Sequence, residues 1–149
     1  MKIGIDASRY AYDQSTGVEW YSWHIINALI EQKSLAKSHA ENDQIILYSR
    51  NILDLNPKTF QGVKIINKVI TSKKLWTLIG LSKEIKKNPP DVLFVPSHTL
   101  PFCLPKRSVI TIHDVAFKYL RKSYSFFQYH YLNWSTKRAT KKALKIIVP

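Results

Sequence analysis

Six short runs rich in β-branched residues punctuate this chain, and that rhythm restricts its fold more than any other feature of the sequence. They are Lys2 to Ala7, Gln44 to Ser49, Val63 to Val69, Asp91 to Pro96, Ser108 to Ile112 and Lys145 to Val148. Segments with helical spacing lie between several of them: about Val18 to Glu31, Lys73 to Lys87 and Ser125 to Ala143. Short apolar runs alternating with helices imply βαβ units and a parallel sheet, because parallel strands need a crossover connection. The expected fold is an α/β, doubly wound parallel sheet, and 149 residues make one domain of it.

Local signals fill in the elements. In the first helix Val18, Tyr21, Ile25 and Leu29 recur at helical spacing, with Ile26 and Ile30 widening the stripe. In the second, Leu75, Leu78, Ile79 and Ile85 have core-like spacing and Gly80 weakens the helix. Asn88-Pro89-Pro90 must end it, since proline lacks the donor and clashes with the preceding turn. A polar loop holding Asp13, Gln14, Ser15, Thr16 and Gly17 precedes the first helix, and Lys33 to Asp43 is a second loop. Lys145 to Val148 is expected to be a core strand.

Ligands of open parallel sheets bind outside the carboxyl ends of the strands. That rule selects three loops: Asp6, Arg9 and Gly17 after the first strand, Ser97 and His98 after the fourth, and His113 and Asp114 after the fifth. Gly17 before a helix lets a ligand approach backbone N–H groups, or is a simple turn residue. His113 can donate to a hydroxyl or carbonyl, or is a loop histidine with Asp114 capping the next turn. Neither a GxGxxG nor a Walker fingerprint is present. His98 with His113 lacks the ligand count of a metal site, so no metal is expected. His24, His39 and His130 carry no spacing signal, and Cys103, the single cysteine, is read as a packing residue.

Charge is distributed unevenly around a net of +13. Residues 64–88 carry seven Lys against Glu84 alone, and residues 115–149 carry eight Lys and Arg and no acid. In the latter, Lys118, Arg121 and Lys122 precede Tyr124, Phe126, Phe127, Tyr129, Tyr131 and Trp134, and Lys137, Arg138, Lys141 and Lys142 follow. Three readings stand open: an anionic membrane surface, single-stranded nucleic acid, or rings packed on the sheet with lysines in water. Nucleic acid is the least expected partner, because charge alone is not specific. One cysteine excludes an internal disulfide framework. The opening MKIGIDA lacks the apolar stretch of a signal peptide. Cytoplasmic residence is expected, with peripheral attachment at the inner membrane face as the open alternative.

Five segments recur in a familiar order: IGIDASRY, TGVEWYSWHIINAL, DVLFVPSHTLP, SVITIHDVAFKYL and RATKKALKIIVP. Together they resemble the N-terminal domain of family 4 retaining glycosyltransferases of the GT-B architecture, many of them mannosyltransferases. The resemblance spans essentially the whole chain. It implies a Rossmann-like N-terminal domain that binds the acceptor, while a C-terminal domain, expected to be absent here or separate, binds the nucleotide-sugar donor. It implies His113 as the histidine that reaches the transferred sugar, with Asp114 supporting its loop. Ser97 and His98 would line the acceptor pocket, and Arg9, Gly17 and Tyr21 would contact substrate. Where family members often have GIGRY, this chain has GVEWY. It keeps Gly17 and Tyr21 and places Trp20 at the basic position, which weakens phosphate contact there. The implied activity is transfer of a sugar to a hydroxyl of a glycan or lipid-linked acceptor, with no metal and no cofactor beyond the donor. The chain alone would be inactive. A non-catalytic or split subunit that recruits acceptor or membrane is the alternative.

Overall fold

The structure, a computed structural model, describes residues 1–11, 16–35, 43–55, 64–72 and 74–149. Six parallel strands form one sheet: β1 (Lys2–Asp6), β2 (Gln44–Ser49), β3 (Lys64–Val69), β4 (Val92–Val95), β5 (Ser108–Thr111) and β6 (Lys145–Ile147). Their spatial order is β3-β2-β1-β4-β5-β6. This is the doubly wound order, which reverses between β1 and β4. The expected residues Asp13, Gln14, Ser15, Gly62, Val63 and Lys73, and the middle of the loop before β2, lie outside the described residues.

Alternation along the strands builds two cores. Ile5, Ile45, Leu47 and Phe94 face α1 (Gly17–Leu35), whose Ile26 and Ile30 are fully buried among them. Burying each such side chain contributes roughly 1.5–3 kcal/mol. Tyr48, Leu93, Val95 and Ile110 face the opposite side, against Trp76, Leu81, Ile85 and Ala139. Gly4 explains how Tyr48 fits: a Cβ there would stand 2.8 Å from the Tyr48 ring and 2.9 Å from Pro90.

The helices depart from their expected stripes. In α1 the buried line is Ser22, Ile26 and Ile30, spaced by four residues, while Leu29 is exposed and Tyr21 and Ile25 are half-buried. The helix also runs on to Leu35. The expected second helix starts as a π-helical turn, Trp76–Leu81, and becomes α-helical only as α2 (Ser82–Lys87). The wider winding turns Leu75 and Ile79 outward and brings Trp76 and Leu81 into the core. Trp76 Nε1 donates to the Ile70 carbonyl at 2.8 Å. Gly80 is required by this packing, because a Cβ would lie 2.7 Å from Ser72 Cβ.

Beyond β5 lie two elements that the sequence reading did not anticipate, α3 (Ala116–Tyr119) and a 3-10 turn (Arg121–Ser123). Then comes α4 (Phe126–Lys142), opened by a capping box in which Ser125 and Gln128 satisfy each other's backbone N–H. Last, β6 is an exposed edge strand and not a core strand, since among the described residues it pairs only with β5 and all three of its residues are exposed. No helix among the described residues is long and apolar enough to cross a membrane.

Candidate functional site

A cleft of about 550 Å3 opens at the carboxyl edge where the strand order reverses. The β1 connection leads to α1 on one face, while the β4 connection packs Leu100, Cys103 and Leu104 on the other, and the two diverge around the cleft. Ser8 and Arg9 line it from β1, Arg50 from β2, and Ser97, His98 and Thr99 from β4. Thr16 and Val18 at the start of α1, the π-helical turn, and Tyr131 and Leu132 of α4 complete the wall.

Three rings run inward from the cleft. His98 meets His113 at 5.1 Å between centroids, and His113 meets the edge of Tyr21 at 4.8 Å and 90°. The Tyr21 hydroxyl lies 3.3 Å from Thr111 Oγ1. His113 Nε2 is 3.1 Å from the Pro96 carbonyl oxygen. A carbonyl only accepts, so Nε2 carries the proton, and in the neutral ring Nδ1 keeps the lone pair. Burial pushes the His98 pKa below 6.5, the neighbouring His113 adds to that, and Asp114 opposes it. The neutral ring is thereby favoured, and it can either donate to or accept from a hydroxyl.

Arg9, Ser97 and His98 thus share the cleft, with His113 and Tyr21 packed edge-to-face behind His98. Asp114 is exposed and turned away: its Oδ1 accepts from the Ala116 N–H at 2.9 Å and opens α3. Gly17 is the exposed first residue of α1, between the wall residues Thr16 and Val18, and no atom lies within 4 Å of where its Cβ would be. Its surroundings are already charged. Glu19 accepts from the Thr16 N–H at 3.0 Å and hydroxyl at 2.9 Å, and pairs with Arg9 at 3.3 Å. Those Thr16 bonds hold the Glu19 carboxylate below its usual pKa, so an anion entering here meets a resident negative charge.

Asp6, at the end of β1, is 1 % exposed, and among the described residues its Oδ2 has no hydrogen-bond partner. Its Oδ1 accepts from the Ser8 N–H at 3.0 Å. Burial raises its pKa above the usual 3.8, against the Ser8 hydrogen bonds and the charges of Arg50 and Arg9. Arg50 was missed by sequence reasoning, although the strand-end rule applied to β2 would have found it. Thr99 and Tyr131 were also missed as cleft residues; their hydroxyls lie 3.0 Å apart.

The cleft rim is tied to α4. Ser135 Oγ donates to the His98 carbonyl at 2.8 Å. The Arg138 guanidinium donates to the carbonyls of Leu100, Pro101 and Phe102 at 2.8, 2.6 and 3.1 Å. Among the described residues no group of three or more His, Cys, Asp or Glu is placed to hold a metal ion.

Fold and cleft together define an α/β protein of the Rossmann-like class with a polar site at its switch point. No protein family, curated protein or solved structure matches the chain.

Proposed function

We propose that this chain is the acceptor-side domain of a retaining glycosyltransferase, binding a hydroxyl-rich glycan or lipid-linked acceptor in the switch-point cleft. The observation that carries the reading is His98 on the cleft wall beside Ser97 and Thr99, with His113 packed against it at 5.1 Å. Neutral donors and acceptors suit sugar hydroxyls. The nucleotide-sugar donor is supplied from a second domain or subunit facing this edge. In the reaction the acceptor oxygen bonds to the anomeric carbon, the bond from that carbon to the diphosphate breaks, and the acceptor proton leaves with the phosphate. The transition state is oxocarbenium-like, so the requirement is positioning and electrostatics.

One observation favours the second reading, a binding module that recruits acceptor without catalysis. Glu19 occupies Arg9 and the Thr16 donors, the groups that a donor diphosphate would need at the start of α1. The test is transfer of labelled sugar from nucleotide-sugar donors by the gene product as its own cell makes it, beside its His98→Ala and His113→Ala variants. The catalytic reading expects each variant to lose about 100-fold or more in turnover while its circular dichroism stays that of the wild type. Equal turnover in all three would remove the histidines from the site. Acceptor binding without transfer in the wild type would select the binding module.

A further inference from the structure

α4 buries residues only in its second half, and its most exposed rings stand at its first turn. Ser135, Thr136 and Ala139 are buried, whereas Phe127 is 82 % and Phe126 62 % exposed. Beside them, Tyr119 at the end of α3 and the following Leu120 are 83 % and 58 % exposed. At the tip the rings touch one another, Phe126 lying 5.8 Å from Phe127 and 4.2 Å from His130, while Tyr129 packs on Phe117 of α3 at 6.0 Å. Phe127, Tyr131 and Trp134 are spaced i, i+4, i+7 and so share one face of the helix.

Side-chain chemistry changes in order along that helix. Phenylalanines come first, Tyr131 and Trp134 follow, and Lys137, Lys141 and Lys142 close it, all three lysines exposed. The polarity of a lipid bilayer changes in the same order, from acyl chains through the interface favoured by Tyr and Trp to phosphate headgroups. Lys118, Arg121 and Lys122 add cations beside the tip, and residues 115–149 contain no acid. We propose that this face docks on an anionic lipid bilayer, with Leu120, Phe126 and Phe127 at the acyl boundary and the lysines on headgroup phosphates.

Two other occupants fit less well. A second copy of the chain would set the six cations of this face, Lys118, Arg121, Lys122, Lys137, Lys141 and Lys142, against the same six, and residues 115–149 supply no acid to place between them. Single-stranded nucleic acid would stack on rings, yet it gains nothing from Leu120, and the Phe126 and Phe127 rings meet at 86°, which does not make a flat platform. Docking also sets the cleft mouth, where Tyr131 and Leu132 form part of the wall, beside the headgroups. On the glycosyltransferase reading, and only on it, that makes the acceptor lipid-linked; the docking itself does not depend on that reading.

The experiment is co-sedimentation of the purified chain with phosphatidylcholine vesicles, with and without roughly one third phosphatidylglycerol. Binding is expected only to the anionic vesicles, and high salt should release the protein. Replacing Lys137, Lys141 and Lys142 together by Gln should weaken binding on the order of 100-fold, taking each lysine near the surface at about fivefold. Phe127→Ser should weaken it as well. Both variants change exposed side chains, and circular dichroism verifies that they fold. Arg138 is left intact, because it holds the cleft rim. The proposal is overturned by no binding to anionic vesicles, by equal binding to neutral ones, or by undiminished binding of the lysine variant. It is also overturned if the face forms a stable dimer in solution, or if single-stranded DNA is bound through these lysines and anionic vesicles are not.

Discussion

Asp6 shows how much one side chain adds that the sequence alone does not express. As the last residue of β1 it belongs to an expected loop of interest, but only the structure buries its carboxylate and leaves Oδ2 without a partner. With a folded pKa above 3.8, the folded chain holds this proton more tightly than the unfolded chain does. The associated stability is present in full below the unfolded value and is lost as pH rises through the folded one. Asp6→Asn removes that titration. Urea midpoints followed against pH should show the wild type losing stability relative to Asp6→Asn as pH rises above 3.8. Parallel curves would mean that the carboxylate is solvated. His113 and His98 teach a related lesson: strand-end position picked both, but which one faces the cleft depends on packing across β4 and β5, and a linear sequence does not encode that directly.

Among the elements, the strands were the most legible, because short β-branched runs bounded by turn residues have few other uses. The helices were legible in existence and less so in face. The π-helical turn is the clearest case. It starts at Leu75, which sits in the left-handed region at φ 48° and ψ 44°, and it holds Gly80 against Ser72. Helical spacing assumes one winding, so a wider turn shifts the stripe: Trp76 and Leu81 enter the core and Ile79 leaves it, while Leu78 and Ile85 are buried as their spacing expects. Two substitutions within this element should move stability in opposite directions. Leu75→Gly relieves the left-handed strain and should add about 1 kcal/mol. Gly80→Ala forces a Cβ into Ser72 and should cost about 1–3 kcal/mol. Urea denaturation of both variants measures the signs, and two shifts of the same sign would refute the account. In α4 the hydrophobic pattern was visible, but the choice between rings on the sheet and rings in solvent was not. Of its seventeen residues only Ser135, Thr136 and Ala139 are buried, so the rings of the first turn stay in solvent while Tyr129 packs on Phe117.

For the whole molecule, the doubly wound sheet followed from the alternation of strands and helices, and the switch-point rule then located the cleft without any motif. The edges did not follow. KIIV reads as interior by composition, yet β6 ends the sheet with one neighbour. Amide exchange should rank the strands accordingly: β6, an edge strand with all three residues exposed, first to exchange, and β1 and β4, the innermost pair of the six, last. Uniform protection across the sheet would contradict that order.

The bonds from Ser135 and Arg138 to the carbonyls of residues 98 and 100–102 carry a lesson for protein engineering. A library that randomises only the loop after β4, in search of a cleft with new preferences, would be selecting sequences for a template held elsewhere in the chain. The loop's cleft-facing side chains can be exchanged, but Leu100 is anchored in the core and the path is tied to two residues of a helix distant in sequence. A transplanted loop would keep its shape in a new host only if that pair travelled with it.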